Sequence, residues 1–176
     1  MLKDKLVPRQ RIEDAVATLA DEINADLEQR DPVFICVLKG AVYFFAALTQ
    51  KLNRSVVVDF IQASSYGATT VSSGSVTLVK DITVDISNKD VYLVEDIVDT
   101  GLTLADLVAL LRARHPRSIQ IVTLLSKPAR RRMELDLDFV GLEIEDRFVV
   151  GYGLDFDQRF RNLPEIWEFS PDGEAT

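Results

Sequence analysis

Three carboxylates, Glu95, Asp96 and Asp99, are followed at once by Thr100, Gly101, Leu102 and Thr103. Acids this close together can hold hydroxyl groups, share a divalent cation or accept a proton. The threonine hydroxyls and the backbone N–H groups of a glycine turn are donors, and they suit an anion such as phosphate. A bare phosphate would be repelled by the neighbouring acids. The combination fits a phosphorylated ligand that also brings hydroxyls, a magnesium ion or a proton to be removed.

These residues need a strand before them and a helix after them. Residues 91–94 are an apolar, β-prone run, and beyond the Asp99-Thr100-Gly101 turn Leu104, Leu107, Val108 and Leu111 recur at helical spacing. In an open parallel sheet, ligands gather where strands end and helix N-termini present free N–H groups. Asp99 and Thr100 would also serve simply as helix-capping residues.

Composition narrows the classes. A chain of 176 residues with 47% hydrophobic content suits one domain with a full core, and its net charge of −8 argues against broad nucleic-acid binding. The basic run Arg130-Arg131-Arg132 reads as a solvated face. Cys36 is the single cysteine and lies within VFICVL, so it reads as a buried small apolar residue in a reducing, cytoplasmic setting. The charged N-terminus does not resemble a signal peptide, and no apolar run approaches the roughly 20 residues of a membrane span.

The chain alternates helices and strands. Residues 9–30 carry Ile12, Val16, Leu19, Ile23 and Leu27 on one helical stripe, and 33–38 form a continuous apolar strand ending in Lys39-Gly40. Helical composition returns at 41–52. Strands are expected at 56–62 and 76–80, with the polar, Gly-containing stretch 63–76 between them reading as a hairpin loop. A buried strand follows at 118–125, then Lys127 beside Pro128. His115, next to Pro116, reads as an exposed helix-end residue. Strands at 139–144, 148–152 and 165–169 complete an α/β chain with an open, mostly parallel sheet flanked by helices.

The nine residues EDIVDTGLT after VYLV resemble the phosphoribosyl pyrophosphate (PRPP) motif of type I phosphoribosyltransferases, in the form of the hypoxanthine-guanine branch. VLKGA is similar to that family's pyrophosphate loop, TLLSKP to its purine-contacting lysine segment, and DRFVVGYGLDFDQRFRNLPEIW to its base-binding stretch. The matches run in order from about residue 9 to 169. By residue type alone Lys39 and Lys127 would each serve as a helix start, Phe148 as a core aromatic and Arg161 as a surface charge.

The resemblance implies a type I fold in one domain, residues 1–176. A small hood would form from roughly 1–12 and 145–170, and a lid loop from 63–76 containing Ser65 and Tyr66. It implies transfer of the 5-phosphoribosyl group from PRPP to hypoxanthine or guanine, giving IMP or GMP and pyrophosphate. Asp99 would be the general base. Glu95, Asp96, Asp99, Thr100, Gly101, Leu102, Thr103, Lys39, Gly40 and Arg161 would hold PRPP, and Lys127, Phe148, Val149 and Asp155 the purine. Magnesium would sit near Glu95, Asp96 and Asp155, and the Leu38-Lys39 peptide would be cis. Some relatives carry a lysine where this chain has Leu102, so one cationic contact is absent. The expected partners are small molecules and copies of the chain in a homodimer or homotetramer, with no nucleic acid and no membrane. A PRPP-sensing regulator of the same fold is the alternative, but it should add a basic face. A magnesium-dependent receiver domain has no use for a distant aromatic purine clamp, and a dinucleotide oxidoreductase would need the absent G-x-G-x-x-G.

Overall fold

A computed structural model describes residues 1–64 and 76–171. Ser65 and Tyr66, and with them nearly all of the expected lid, lie outside the described residues. The elements run β1 (Leu2–Val7), α1 (Arg9–Asp26), β2 (Pro32–Leu38), α2 (Val42–Thr49), β3 (Val57–Ser64) and β4 (Thr77–Lys80). They continue with β5 (Asp90–Val98), α3 (Leu102–Arg112), β6 (Ser118–Ser126), β7 (Phe139–Glu143), β8 (Val149–Val150) and β9 (Ile166–Phe169).

Six strands form one sheet in the order β4-β3-β2-β5-β6-β7, parallel except for the edge strand β4. Side chains along a strand alternate between faces, so a run buried throughout needs a layer on each side. In β2, Phe34 and Cys36 join the core beneath α1 and α2, with Ile12, Leu19, Ile23 and Phe44. Val33, Ile35 and Val37 face the opposite core, with Leu104, Leu107 and Leu111 of α3. The parallel register sets Phe34 beside Tyr92 of β5, and their rings stack at 4.6 Å and 6°. Tyr92 keeps a polar partner despite full burial, because its hydroxyl donates to Asp26 Oδ2 at 2.6 Å.

Strand order locates the site. The chain passes from β2 to β3 on one side, then returns to lay β5 against the other side of β2. The loops leaving β2 and β5 therefore diverge, which opens a crevice at their carboxyl ends, the switch point of an α/β sheet. Lys39-Gly40 and residues 99–101 lie at these two ends. A second sheet, β1-β9-β8, is antiparallel and joins the chain's first strand to its last.

Candidate active site

The sequence suggests that the central strand ends before the acids, but β5 continues to Val98. Its pairing with β6 persists through Glu95↔Thr123 and Val98↔Ser126, so Glu95 and Asp96 are strand residues. Alternation then separates them. Glu95 lines a cavity of about 120 Å³ with Thr100, Gly101, Leu102 and Thr103, while Asp96 lines one of about 410 Å³ with Lys127, Arg130, Phe148, Val149 and Asp155. Asp99 lines both.

The smaller cavity ends at the N-terminus of α3. Gly101 is the cap residue at φ 81°, a left-handed conformation that only glycine adopts freely. Asp99 makes no capping hydrogen bond to this helix; the Leu102 N–H instead approaches Thr100 Oγ1 at 3.5 Å. The first-turn N–H groups and the helix dipole face the cavity that Thr100 and Thr103 line. Leu102 is substantially exposed at the rim. Behind the loop, the N–H groups of Arg132 and Met133 both donate to the Thr100 carbonyl, at 3.0 and 3.3 Å.

Glu95 and Asp96 are half-buried and adjacent. Burial first, then the neighbouring Asp96 charge, pushes the Glu95 carboxyl well above the usual carboxylate range. Burial also raises Asp96, opposed by hydrogen bonding with Glu95 and Ile97 and by the Arg161 charge. Such a pair attracts hydroxyl donors or a cation. Beneath it, Cys36 is fully buried, and desolvation followed by the charges of Glu95 and Asp96 pushes its thiol up to about 12. That thiol is inert.

The peptide between Leu38 and Lys39 is cis. The loop that follows is wedged on two sides. A Cβ on Gly40 would collide with Asp96 Oδ2, and one on Gly153 would collide with the Gly40 carbonyl. Lys39 is exposed and donates to Gln158 Oε1 at 3.3 Å, and Arg161 approaches the same oxygen at 3.4 Å. Arg161 is also fixed by the Gly153 carbonyl at 2.7 Å and by Asp155 Oδ1 at 2.8 Å. Two cations distant in sequence thus converge on a neutral oxygen, an arrangement receptive to a polyanion.

The larger cavity combines a buried cation with an exposed aromatic ring. Lys127 is only 4% exposed, and its Nζ stands 4.0 Å from Asp99 Oδ2. Burial lowers its pKa against the pull of Asp99 and Asp146, with Arg130 lowering it further. Phe148 is 47% exposed, which overturns the core-aromatic alternative. Phe156 meets its ring edge-on at 5.9 Å, so the platform is held while the ring remains accessible. Val149 is buried in β8 beside it.

One expectation needs correction. Arg130, read as part of a solvated basic face, is an active-cleft residue whose Nε lies 3.0 Å from Asp99 Oδ1. A signal for this existed: in the 3₁₀ turn Pro128–Arg130, three residues per turn return Arg130 to the side of Lys127. Gln158 and Asp146 also belong to the site, and no local sequence pattern marks them. Among the described residues no three acidic, histidine or cysteine side chains form a ready metal cluster. Asp155 pairs with Arg161 and accepts the Gln158 N–H at 2.8 Å. Glu95 and Asp96 still suit magnesium, which commonly takes one or two carboxylates and completes its shell with substrate oxygens and water.

Residues 3–157 match the phosphoribosyl transferase domain family. The chain belongs to the phosphoribosyltransferase family. It is 45% identical over 166 residues to the hypoxanthine-guanine phosphoribosyltransferase of Bacillus subtilis, spanning 94% of this chain and 92% of that protein. A Bacillus anthracis hypoxanthine-guanine phosphoribosyltransferase, crystallised with HEPES in its active site, superposes with a TM-score of 0.92 at 42% identity, over 97% of this chain and all of that one. The hypoxanthine phosphoribosyltransferase of Staphylococcus aureus gives 0.93 at 38% identity, over 99% and 95% of the two chains. Within the family, the chain stands among the hypoxanthine-guanine enzymes.

Proposed function

We infer that this protein transfers the 5-phosphoribosyl group of PRPP to hypoxanthine or guanine, forming IMP or GMP and pyrophosphate in purine salvage. The observation that carries this reading is the divided crevice. One cavity offers anion donors, the other an exposed aromatic ring and a buried lysine, and Asp99 stands at their junction.

The roles follow from where charge develops. As C1′ parts from the pyrophosphate oxygen, the leaving group keeps the bonding electrons and the ribose ring becomes cationic, while N9 of the purine bonds to C1′. Lys39 and Arg161 neutralise the leaving group, exchanging Gln158 Oε1 for phosphate oxygens. Gly40 lets their loop approach. The backbone of 99–103, with the Thr100 and Thr103 hydroxyls, holds the 5′-phosphate. Glu95 and Asp96 hold the ribose hydroxyls from the two faces of β5, and their charge favours a cationic sugar. Magnesium, held by these two with Asp155 nearby, would supply Lewis-acid stabilisation of the departing pyrophosphate. Phe148 stacks on the purine, Val149 meets its edge and Lys127 donates to O6. Asp99 accepts the N7 proton.

The reading extends to a homodimeric or homotetrameric, cytoplasmic enzyme with small-molecule partners only. The unpaired Cys36 suits a reducing compartment. No helix among the described residues is long and apolar enough to cross a membrane. The test supplies PRPP, magnesium and each purine separately. Nucleotide formation from hypoxanthine or guanine is expected, and turnover of adenine or orotate alone would overturn the assignment.

A further inference from the structure

Arg130 is the charged side chain in the purine cavity that the reaction as described leaves unused. Its guanidinium spans two carboxylates on separate loops, with Nε 3.0 Å from Asp99 Oδ1 and Nη1 3.4 Å from Asp146 Oδ1. The contact with Asp99 is one of charge and not a hydrogen bond. Oδ1 is shielded from solvent and makes no hydrogen bond, so the guanidinium holds that oxygen by charge and leaves Oδ2 to meet a proton. Asp146 lies two residues before Phe148, in the loop between β7 and β8. The span therefore joins the loop of the proton acceptor to the loop of the aromatic platform.

We propose that Arg130 is a positioning residue that bridges Asp99 and Asp146 and so sets the carboxylate of Asp99 against a purine lying on Phe148. This rests on Asp99 being the proton acceptor. Arg130 reaches both acids because a guanidinium carries donors on several nitrogens in a fixed plane; a lysine ammonium is a single point and cannot span the pair in the same way. The side chain is 45% exposed, so its role is geometric and contributes little to the stability of the fold.

The test compares Arg130→Ala, Arg130→Lys, Asp146→Ala, the Arg130→Ala/Asp146→Ala double variant and Asp99→Asn, measuring kcat, KM for hypoxanthine, KM for PRPP and Tm. Arg130→Ala is expected to lower kcat/KM for hypoxanthine by roughly tenfold to a hundredfold, because small misplacement of a reacting group is costly in rate. The KM for PRPP and the Tm should stay near wild type, and Arg130→Lys should recover only part of the loss. The double variant should be no worse than Arg130→Ala, since both changes break one bridge. Wild-type kinetics in Arg130→Ala, with Asp99→Asn inactive, would overturn the bridge and leave the base assignment standing. Additive losses, or a fall in Tm with all kinetic constants drifting together, would also overturn it. Full activity in Asp99→Asn would remove the base assignment and this inference with it.

Discussion

Gly40 lies so close to Asp96 that a β-carbon there would occupy the position of the carboxylate oxygen Oδ2. The contact joins the ends of β2 and β5, the two strands that flank the switch point. Gly40→Ala should force apart the Lys39 loop and the acid pair. The expected result is a rise of about tenfold or more in the KM for PRPP, about 1.4 kcal/mol or more, with an unchanged circular dichroism spectrum. Steady-state kinetics at saturating hypoxanthine check it, and a wild-type KM would show that the wedge has no bearing on ligand binding.

Phe148 should act on the other substrate. Base stacking on an aromatic side chain contributes about 1–3 kcal/mol, so Phe148→Ala is expected to raise the KM for hypoxanthine by roughly tenfold to a hundredfold. The KM for PRPP should change less than about threefold. Equal effects on both constants would mean that the ring serves the fold of the second sheet, where it also contacts Phe169 at 6.1 Å.

Asp59 gives a pH-dependent stability. It is 5% exposed in β3, and its carboxylate accepts the N–H groups of Thr83 at 2.6 Å and Val84 at 2.9 Å, with Lys80 at 3.5 Å. Burial alone would raise its pKa, but the hydrogen bonds from Val84, Thr83 and Phe60 and the Lys80 charge outweigh it, holding the group at about 2 against an ordinary 3.8. A depressed carboxylate stabilises the folded state fully above its unfolded pKa and loses that contribution as pH falls through the folded value. Chemical denaturation should find Asp59→Asn less stable than wild type by about 2 kcal/mol at pH 6. The gap should shrink from about pH 4 towards pH 2, and a gap independent of pH would contradict the charge-based account.

How much of this could be read in advance depended on the range of the interactions. Buried β2 and the periodic stripe of α3 were legible because local alternation and 3.6-residue spacing report burial directly. The extension of β5 through two charged residues was not, since strand propensity drops at Glu95 and Asp96 and only pairing with β6 keeps them extended. Lys127, Phe148 and Arg161 were ambiguous by type, and the resemblance alone assigned them to the site. Asp146 and Gln158 carry no local mark because what defines them is contact across 16 to 119 residues of chain, which composition does not record, and for Arg130 the 3₁₀ spacing after Lys127 is the one local signal. The cis peptide before Lys39 was likewise expected only from the resemblance.

Asp99→Asn tests the central claim most directly, because it keeps the shape of the side chain and removes its ability to accept a proton. Equilibrium binding of PRPP by titration calorimetry should change less than about threefold, while kcat for hypoxanthine falls by roughly a hundredfold to ten-thousandfold, the contribution of a positioned general base. A variant that still turns over hypoxanthine at the wild-type rate would contradict the account, as would one whose only defect is lost PRPP affinity.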